Sequence, residues 1–228
     1  MPPSTIVLGL GRKILGLLTC SILTQIVVPA GVELNKEKIC IASTSPESVI
    51  NAYYKQFQGD FSTFLRSRSE ELVAGGRMVL SMLGRKSEEA SSKDGCYIWD
   101  LLAMAIKEMV SQGLIEENKL HTFHIPYFTP SPAEVVAEVE KEGSFALNAV
   151  EVSEISWGAC SNCPSHSDIS AWHMASCLRS VAEPLLVEQF GEVLIDELFE
   201  NYRKILSHRM SVEDNKFVNL SVSMTRRD

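Results

Sequence analysis

Five cysteine and histidine side chains in the second half of the chain are of types that could bind a metal. Cys160 and Cys163 lie three positions apart, and His166, His173 and Cys177 follow them. Thiolates and imidazoles are the ligands of tetrahedral zinc, so this set could hold one zinc ion. The spacing of its second part is irregular, however, and the surrounding serine, asparagine and proline residues are typical of an exposed loop. The exposed loop is the favoured interpretation, and zinc is the alternative.

A second pair of histidines, His121 and His124, lies in a segment rich in proline and aromatic residues. Residues 120–132 contain three prolines and three aromatic side chains. Proline fixes φ and removes a backbone donor, so the segment predicts neither a helix nor a regular strand. A stiff aromatic loop could line a pocket, although composition alone favours a packed connector. No third ligand accompanies the two histidines, which favours pocket or surface histidines over a metal site.

The sequence contains no familiar catalytic motif: no Gly-x-Ser-x-Gly elbow, phosphate-binding loop, HExxH pair or kinase set. With 228 residues, 45% of them hydrophobic, and a net charge of -8, its composition is that of one soluble globular domain. Nucleic acid is an unsuitable partner, because phosphate binding needs clustered Lys and Arg. Six unevenly spaced cysteines predict reduced thiols and an intracellular protein rather than a disulfide framework.

The N-terminal segment leaves two interpretations open. Arg12 and Lys13 precede the apolar residues 14–28, and Val28 and Ala30 have the small side chains that signal peptidases prefer. Residues 1–30 therefore resemble a secretory signal. A buried strand at 22–28 has the same hydropathy. The run is too short for a transmembrane span, so we expect no membrane association. We expect a cytoplasmic protein, with secretion as the alternative.

Periodicity predicts the elements that must position these residues. Ser45 is the predicted cap of the first helix, with Pro46 at its first position, and Ser131 caps a later one. The strand at 77–83 is apolar throughout, which predicts burial on both faces, as in the parallel sheet of an α/β protein. The predicted helices cover 46–74, 98–113, 133–142, 172–190 and 193–209, and the predicted strands cover 77–83, 144–157 and 217–225.

Short segments distributed along the chain carry a resemblance to a known family. They are GVELNK at 31–36, ASTSP at 42–46, AYYKQF at 52–57, SEEL at 69–72, GGRMV at 75–79, LLAMA at 101–105, IP at 125–126, TPSP at 129–132, EGSF at 142–145 and AEPLL at 182–186. Together, and in this order, they resemble the plant SABATH carboxyl methyltransferases. These enzymes methylate salicylate, benzoate, jasmonate, loganate and related small carboxylic acids.

The resemblance implies a fold and a division of the chain. The family fold is a Rossmann-like methyltransferase sheet with a helical cap, and only the family's C-terminal half is matched. Residues 29–228 are therefore expected to form a partial SABATH domain, with the late strands and much of the cap. Residues 1–28 are a divergent apolar segment. S-adenosylmethionine binds mainly to the family's N-terminal half, through a glycine-rich turn and an acidic residue, and we find no match to that part.

The resemblance also implies substrate-binding roles for five residues. Trp99 takes the position of the tryptophan that closes over the acceptor, and Phe128 that of a pocket tyrosine. Leu178, Val181 and Phe217 take the positions of apolar residues that shape the acceptor slot, with Leu178 where methionine is common. We expect such changes to shift acceptor preference by about 1 to 3 kcal/mol. The alternative for all five is a role in the core.

The family has a magnesium site, formed by an asparagine, an aspartate, the backbone of a phenylalanine and a second asparagine. Here those positions hold Asn35, His121, Phe123 and His124. Magnesium prefers oxygen ligands, so two imidazoles should weaken the site severely. Asn35 and the Phe123 carbonyl remain candidate ligands, and His121 and His124 are weaker ones.

The implied function is S-adenosylmethionine-dependent methyl transfer to the carboxylate of a small plant acid. A carboxylic acid is already ionised near neutral pH, so the transfer needs no general base. Because the donor-binding half has no match, we expect the 228 residues to be inactive alone. The alternative is a non-catalytic partner or regulator that forms a homodimer, or a heterodimer with a full-length relative, through an exposed sheet edge.

Overall fold

The computed structural model describes residues 15–19, 28–158 and 167–228, with the backbone alone for 15–19 and 167. These ranges contain four strands, one short 3-10 turn at Glu192–Leu194 and six α-helices. The strands are β1 (Leu15–Thr19), β2 (Arg77–Gly84), β3 (Phe145–Ser156) and β4 (Lys216–Arg226). The helices are α1 (Glu47–Glu71), α2 (Lys93–Ser111), α3 (Glu117–His121), α4 (Pro132–Glu142), α5 (Ser167–Phe190) and α6 (Ile195–Val212).

The strands form one mixed sheet in the order β1-β2-β4-β3. β1 runs parallel to β2, while β4 is antiparallel to both of its neighbours. The predicted α/β fold is confirmed. The alternating pattern predicted for β4 is confirmed as well, because one of its faces is completely buried, through Val218, Leu220, Val222 and Met224.

β2 has one buried face rather than two. Met78, Leu80 and Met82 are buried, whereas Val79 and Ser81 on the opposite face are partly exposed. The prediction of burial on both faces is therefore wrong. The apolar side chains of α1 and α4 pack on one face of the sheet, and the other face stays partly open.

The N-terminal segment contributes β1. This strand pairs with β2 and so covers an edge that the sequence predicted to be exposed. The alternative strand at 22–28 lies, except for Val28, outside the described residues. Within the described parts of the chain, no helix is long and apolar enough to cross a membrane.

α1 covers the buried face of the sheet with one side chain per turn. Val49, Tyr53, Phe57, Phe61 and Leu65 follow one another at intervals of four residues and are all buried. The last three belong to the same apolar cluster as the inner side chains of β2 and β4. Full burial of a side chain of this size contributes about 1.5–3 kcal/mol, so this contact anchors the sheet to α1.

Of the two predicted helix caps, one is confirmed and one is wrong. The Ser131 hydroxyl accepts a hydrogen bond from the backbone N–H of Glu134, and the Glu134 carboxylate accepts one from the N–H of Ser131, which forms a capping box at α4. Ser45 makes no such contact with α1. Its hydroxyl instead accepts from the N–H of Ala42 and donates to the Asn35 side chain.

Helices α2, α5 and α6 form a second layer with its own apolar core. Tyr202 of α6 is fully buried, and its hydroxyl donates to the carbonyl of Ile98 in α2 over 3.2 Å. α5 begins five residues before its predicted start and continues through Pro184. This layer meets the sheet beside Trp157 and Phe217, and the functional site lies at that junction.

Candidate functional site

The irregular segment between α3 and α4 supplies one wall of the site. As predicted, most of residues 120–132 form neither helix nor strand, although α3 includes Leu120 and His121. Three contacts hold the segment from outside. The hydroxyl of Tyr53 donates to the carbonyl of Ile125 (3.1 Å), the N–H of Ile125 to the carbonyl of Ile39 (2.6 Å), and the thiol of Cys40 to the carbonyl of Tyr127 (3.4 Å).

Arg85, at the end of β2, fixes the far end of this segment. Its buried guanidinium donates to the carbonyl of Thr129, to the carbonyl of Glu88 (3.2 Å) and to the carboxylate of Glu134 (2.6 Å). It also lies 5.2 Å from the centre of the Phe128 ring. A buried cation needs such a set of partners, because desolvation without them is costly. The segment is thus held rigidly between β2 and α4.

A cavity of about 350 Å³ opens between this segment, the ends of β2, β3 and β4, and helices α2 and α5. Its size suits a small-molecule ligand. The wall is mostly apolar and aromatic, and no Asp, Glu, Lys or Arg is among its described residues. The lining residues are Leu83, Ile98, Trp99, Tyr127, Ile155, Ser156, Trp157, His173, Met174, Cys177, Leu178, Val181 and Phe217.

The structure brings together four of the five residues to which the sequence assigned substrate-binding roles. Trp99, Leu178, Val181 and Phe217 come from three different elements and all line the cavity. Phe128 does not. Its ring packs in another apolar cluster, with ring centres 5.2 Å from Phe57 and 5.7 Å from Tyr54, on the far side of the segment.

Tyr127, rather than its neighbour, lines the cavity. Its ring packs edge to face on Trp99, with the ring centres 5.3 Å apart. Neighbouring side chains of an extended segment point to opposite sides, which explains why residue 127 faces the cavity and Phe128 faces α1. Burial raises the pKa of Tyr127, so the phenol keeps its proton and can donate a hydrogen bond.

Two tryptophan rings in the wall carry buried N–H groups that lack a partner. Trp99 is 2% exposed and Trp157 is 7% exposed. Neither indole nitrogen reaches an acceptor among the described residues. A buried donor without an acceptor costs about 1–3 kcal/mol, and such groups are rare in folded proteins. Two residues of the wall thus carry a buried donor without an acceptor among the described residues.

His173 and Cys177 lie on successive turns of α5 and line the cavity. The other three residues of the alternative zinc set, Cys160, Cys163 and His166, fall outside the described residues. Within the described ranges, no three His, Cys, Asp or Glu side chains converge as a metal site would require. For His173 and Cys177 the structure therefore supports a place in the cavity wall.

The Asn35 side chain does not fit a magnesium ion. Its oxygen already accepts a hydrogen bond from Ser45 (2.7 Å), and its nitrogen donates to the carbonyl of Cys40 (2.9 Å). The group is buried, so binding a cation would break a satisfied pair. Its role in this structure is to hold the turn before α1.

The two histidines at the other expected positions do not fit magnesium either. His124 uses Nδ1 to donate to the carbonyl of Lys38 (3.1 Å), and burial lowers its pKa, which favours the neutral ring. His121 lies 3.8 Å from the carboxylate of Glu117. Phe123 is buried, with its ring 5.1 Å from that of Phe190. Magnesium requires several oxygen ligands in octahedral geometry. The two histidine side chains supply nitrogen instead, so of these three residues only the backbone carbonyl of Phe123 could offer an oxygen.

Several residues of the cavity wall were missed by sequence reasoning, above all Tyr127, Trp157 and His173. No pattern distinguished Trp157 from a core residue, because an apolar side chain in a cavity wall has the same periodicity as one in the core. For Tyr127 the signal was the alternation of side chains along an extended segment. For His173, its spacing of four and eight residues from Cys177 and Val181 places all three on one face of α5.

Comparisons with known proteins point to one family. The profile of a family described as "SAM dependent carboxyl methyltransferase" matches residues 19–227. The chain is 51% identical to salicylate carboxymethyltransferase of Clarkia breweri over 203 residues, which cover 88% of this chain and 56% of that enzyme. It is 42% identical to probable jasmonic acid carboxyl methyltransferase 1 of Theobroma cacao over 212 residues, which cover 88% of this chain and 57% of the relative.

A solved structure supports the same relationship. The structure of loganic acid methyltransferase with SAH superposes with a TM-score of 0.80 and 26% sequence identity, and the match covers 94% of this chain and 61% of that one. The chain thus spans just over half the length of the curated relatives it matches.

Proposed function

This chain belongs to the family of S-adenosylmethionine-dependent carboxyl methyltransferases, and we propose that its cavity binds the small carboxylic acid that accepts the methyl group. The observation that carries the proposal is the cavity itself. Trp99, Leu178, Val181 and Phe217, the acceptor-slot positions of the family, meet around about 350 Å³ of mostly apolar space. The names of the relatives suggest an acid of the salicylate, benzoate or jasmonate type.

The chemistry of the reaction suits this wall. A carboxylate is charged near neutral pH and is itself the nucleophile, so the protein needs to orient it and exclude water rather than remove a proton. Among the described residues, the lining includes no acidic side chain that would repel the acid. Tyr127 and the two indole N–H groups can donate hydrogen bonds to its oxygens, while the apolar side chains enclose its hydrocarbon part.

The methyl donor of the family, S-adenosylmethionine, supplies an activated methyl group, but the residues around the cavity do not fit it. Its ribose hydroxyls need a carboxylate or amide partner, and the residues of the wall that the structure describes include no Asp, Glu, Asn or Gln. The 228 residues are, on this proposal, an acceptor-binding unit that does not transfer methyl groups alone.

Isothermal titration calorimetry tests both parts of the proposal. The purified chain is titrated with benzoate and, separately, with S-adenosylmethionine, beside a full-length relative as control. We expect the chain to bind benzoate, the donor to bind only to the control, and no methyl benzoate to form with the chain alone. Donor binding at micromolar concentration would overturn the second part, and failure to bind any of a panel of aryl and jasmonate-type acids would overturn the first.

A second candidate function is that of a non-catalytic partner of a full-length relative. The face of the sheet opposite α1 favours it, because Val79, Ser81, Ser221 and Ser223 are only partly covered. A second protein that covers this face would complete the layered packing typical of an α/β sheet. The pairing would take the form of a homodimer or of a heterodimer with the relative.

The cellular location remains a proposal. We place the protein in the cytoplasm, with secretion directed by residues 1–30 as the alternative. The two differ in the mature N-terminus, because a signal peptidase would remove about the first 30 residues. N-terminal sequencing of the protein from its own cells decides between them, since an intact residue 1 excludes the cleaved signal.

A further inference from the structure

Trp157 is a residue of the cavity wall to which the family resemblance assigned no role. It follows β3 directly and lies between two other aromatic rings. Its ring centre is 5.4 Å from that of Phe217 and 6.0 Å from that of Tyr97. The backbone N–H of Trp157 donates to the carbonyl of Asn215 over 3.0 Å. The ring is therefore held in one orientation from both sides and from its own backbone.

The side-chain N–H of Trp157 has no hydrogen-bond partner among the residues that the structure describes. The indole nitrogen can donate but cannot accept. The residue is 7% exposed, so water reaches little of it, and no acceptor lies within reach among the described residues. An oxygen atom of a molecule bound in the adjacent cavity would supply the acceptor that the chain does not.

We propose that Trp157 is an acceptor-binding residue whose indole N–H donates a hydrogen bond to an oxygen of a bound aromatic carboxylic acid. This inference rests on the proposed function, because it requires the acid to occupy the cavity. A carboxylate has several lone pairs, so it can accept from Trp157 without giving up a second donor such as Trp99 or Tyr127. A ligand that lacks an acceptor leaves a buried donor unpaired, which is how such sites discriminate.

The tryptophan content of the chain makes the inference directly measurable. The sequence contains three tryptophans, so the ¹⁵N-labelled 228-residue chain has three indole N–H signals, which the single changes Trp99→Phe, Trp157→Phe and Trp172→Phe assign. Trp172 is 56% exposed and does not line this cavity, so it is the internal control.

Benzoate is expected to move the indole N–H proton signal of Trp157 downfield, as hydrogen bonding does, and to leave that of Trp172 unchanged. Toluene, which has the ring without the oxygens, is expected to cause no downfield shift.

The outcomes separate this inference from the function on which it rests. If benzoate shifts the indole N–H signal of Trp99 but not that of Trp157, the acid binds and Trp157 is not a donor. This result overturns only the inference. No change of either signal with millimolar benzoate, or with any other acid of the aryl and jasmonate-type panel, overturns both. A Trp157 signal that moves equally with toluene indicates ring contact alone and also overturns the inference.

The change Trp157→Phe adds a quantitative test, because it keeps an aromatic ring and removes the N–H. We expect benzoate to bind about tenfold more weakly to this variant, as for one hydrogen bond to a charged group, and toluene to bind as before. An equal loss for both ligands would mean that the indole acts through packing and would overturn the inference. The titration of the wild-type chain decides the matter where the variant does not fold.

Discussion

Tyr127 and Phe128 show how much depends on the direction of a single side chain. The sequence assigned the pocket position to Phe128, since the family has a tyrosine there. In the structure Tyr127 lines the cavity and Phe128 packs against Phe57 on the other side of the segment. A tyrosine therefore lines the cavity, but it comes from the adjacent position.

The matched changes Tyr127→Phe and Phe128→Tyr test this placement. Tyr127→Phe removes the hydroxyl from the cavity wall, and we expect benzoate to bind about three- to tenfold more weakly, because a net hydrogen bond contributes about 0.5–1.5 kcal/mol. Phe128→Tyr adds a hydroxyl outside the cavity and should leave affinity within about twofold. Calorimetric titration of the two variants gives the comparison. The placement is wrong if Phe128→Tyr changes affinity more than Tyr127→Phe does.

The site residues were predictable only in part, and the reason is physical. Trp99 and Phe217 carry no signal of their own, because an apolar side chain in a cavity wall has the same periodicity as one in the core. Their place at the cavity was expected from the family resemblance alone. Tyr127 required knowledge of which side of an irregular segment faces the helical layer, and that depends on contacts from Cys40 and Tyr53, which are distant in sequence.

The bounds of helices and strands were predicted more accurately than the positions of single side chains. The periodic spacing of apolar side chains predicted α1, α4, α6 and the three strands from β2 to β4 to within a few residues of their observed ends. The failures have local causes. Ser45 does not cap α1 because its hydroxyl donates to the Asn35 side chain instead. One face of β2 is open because the described helices that pack on this strand lie on its other face.

Arg85 connects three elements, so its removal should weaken the fold. It is buried and pairs with Glu134 at the start of α4. We expect Arg85→Met to lower the free energy of unfolding by about 3 kcal/mol, as for a broken buried ion pair, and the melting temperature by about 6–12 °C. The neighbouring change Lys86→Met breaks the exposed pair with Glu154 and should cost less than about 1 kcal/mol. Urea unfolding measures both, and equal losses would contradict the role of Arg85.

Glu213 links α2 to the end of α6 and should make stability depend on acid. Its carboxylate accepts from Lys93 (2.6 Å) and Tyr97 (3.1 Å), and the hydrogen bond from Lys93, above all, lowers the pKa of Glu213 from 4.5 to about 2. Because the pKa is lowered in the folded state, the ionised Glu213 carboxylate stabilises the fold fully above about pH 4.5, and this stabilisation is lost as the pH falls towards 2. Because Lys93 is more than half exposed, solvent limits the contribution to about 0.5–1 kcal/mol.

The change Glu213→Gln should therefore reduce the fall in the free energy of unfolding at low pH. Urea unfolding between about pH 6 and pH 2.5 is expected to show a smaller drop for the variant than for the wild type, by up to about 1 kcal/mol. Glu116→Gln, at an exposed position before α3, is the matched control and should follow the wild type. If the free energy of unfolding falls equally at low pH in all three proteins, Glu213 is excluded as the cause of the fall.

At the scale of the whole molecule, the two layers are covered unequally. The helical layer of α2, α5 and α6 has a closed apolar core, and α1 and α4 bury one face of the sheet. The opposite face carries small and polar side chains, several of which pair with each other across strands, as Ser81 does with Asn219 (2.8 Å). These pairs satisfy polar groups of the face without a covering layer.

A charge placed on this face tests whether a partner covers it. Ser223 of β4 lies opposite both Val79 and Ala149 and is partly exposed, so Ser223→Lys should leave the isolated chain folded because the lysine can reach solvent. If the chain pairs with a full-length relative through the open face, the wild type co-purifies with that relative and Ser223→Lys abolishes the capture, because the interface would bury an unpaired charge. Ser67→Lys, at an exposed position of α1, should leave capture intact. If Ser223→Lys is still captured, the interface does not include this face. If the wild-type chain stays monomeric in the presence of the relative, the pairing function is excluded and acceptor binding remains.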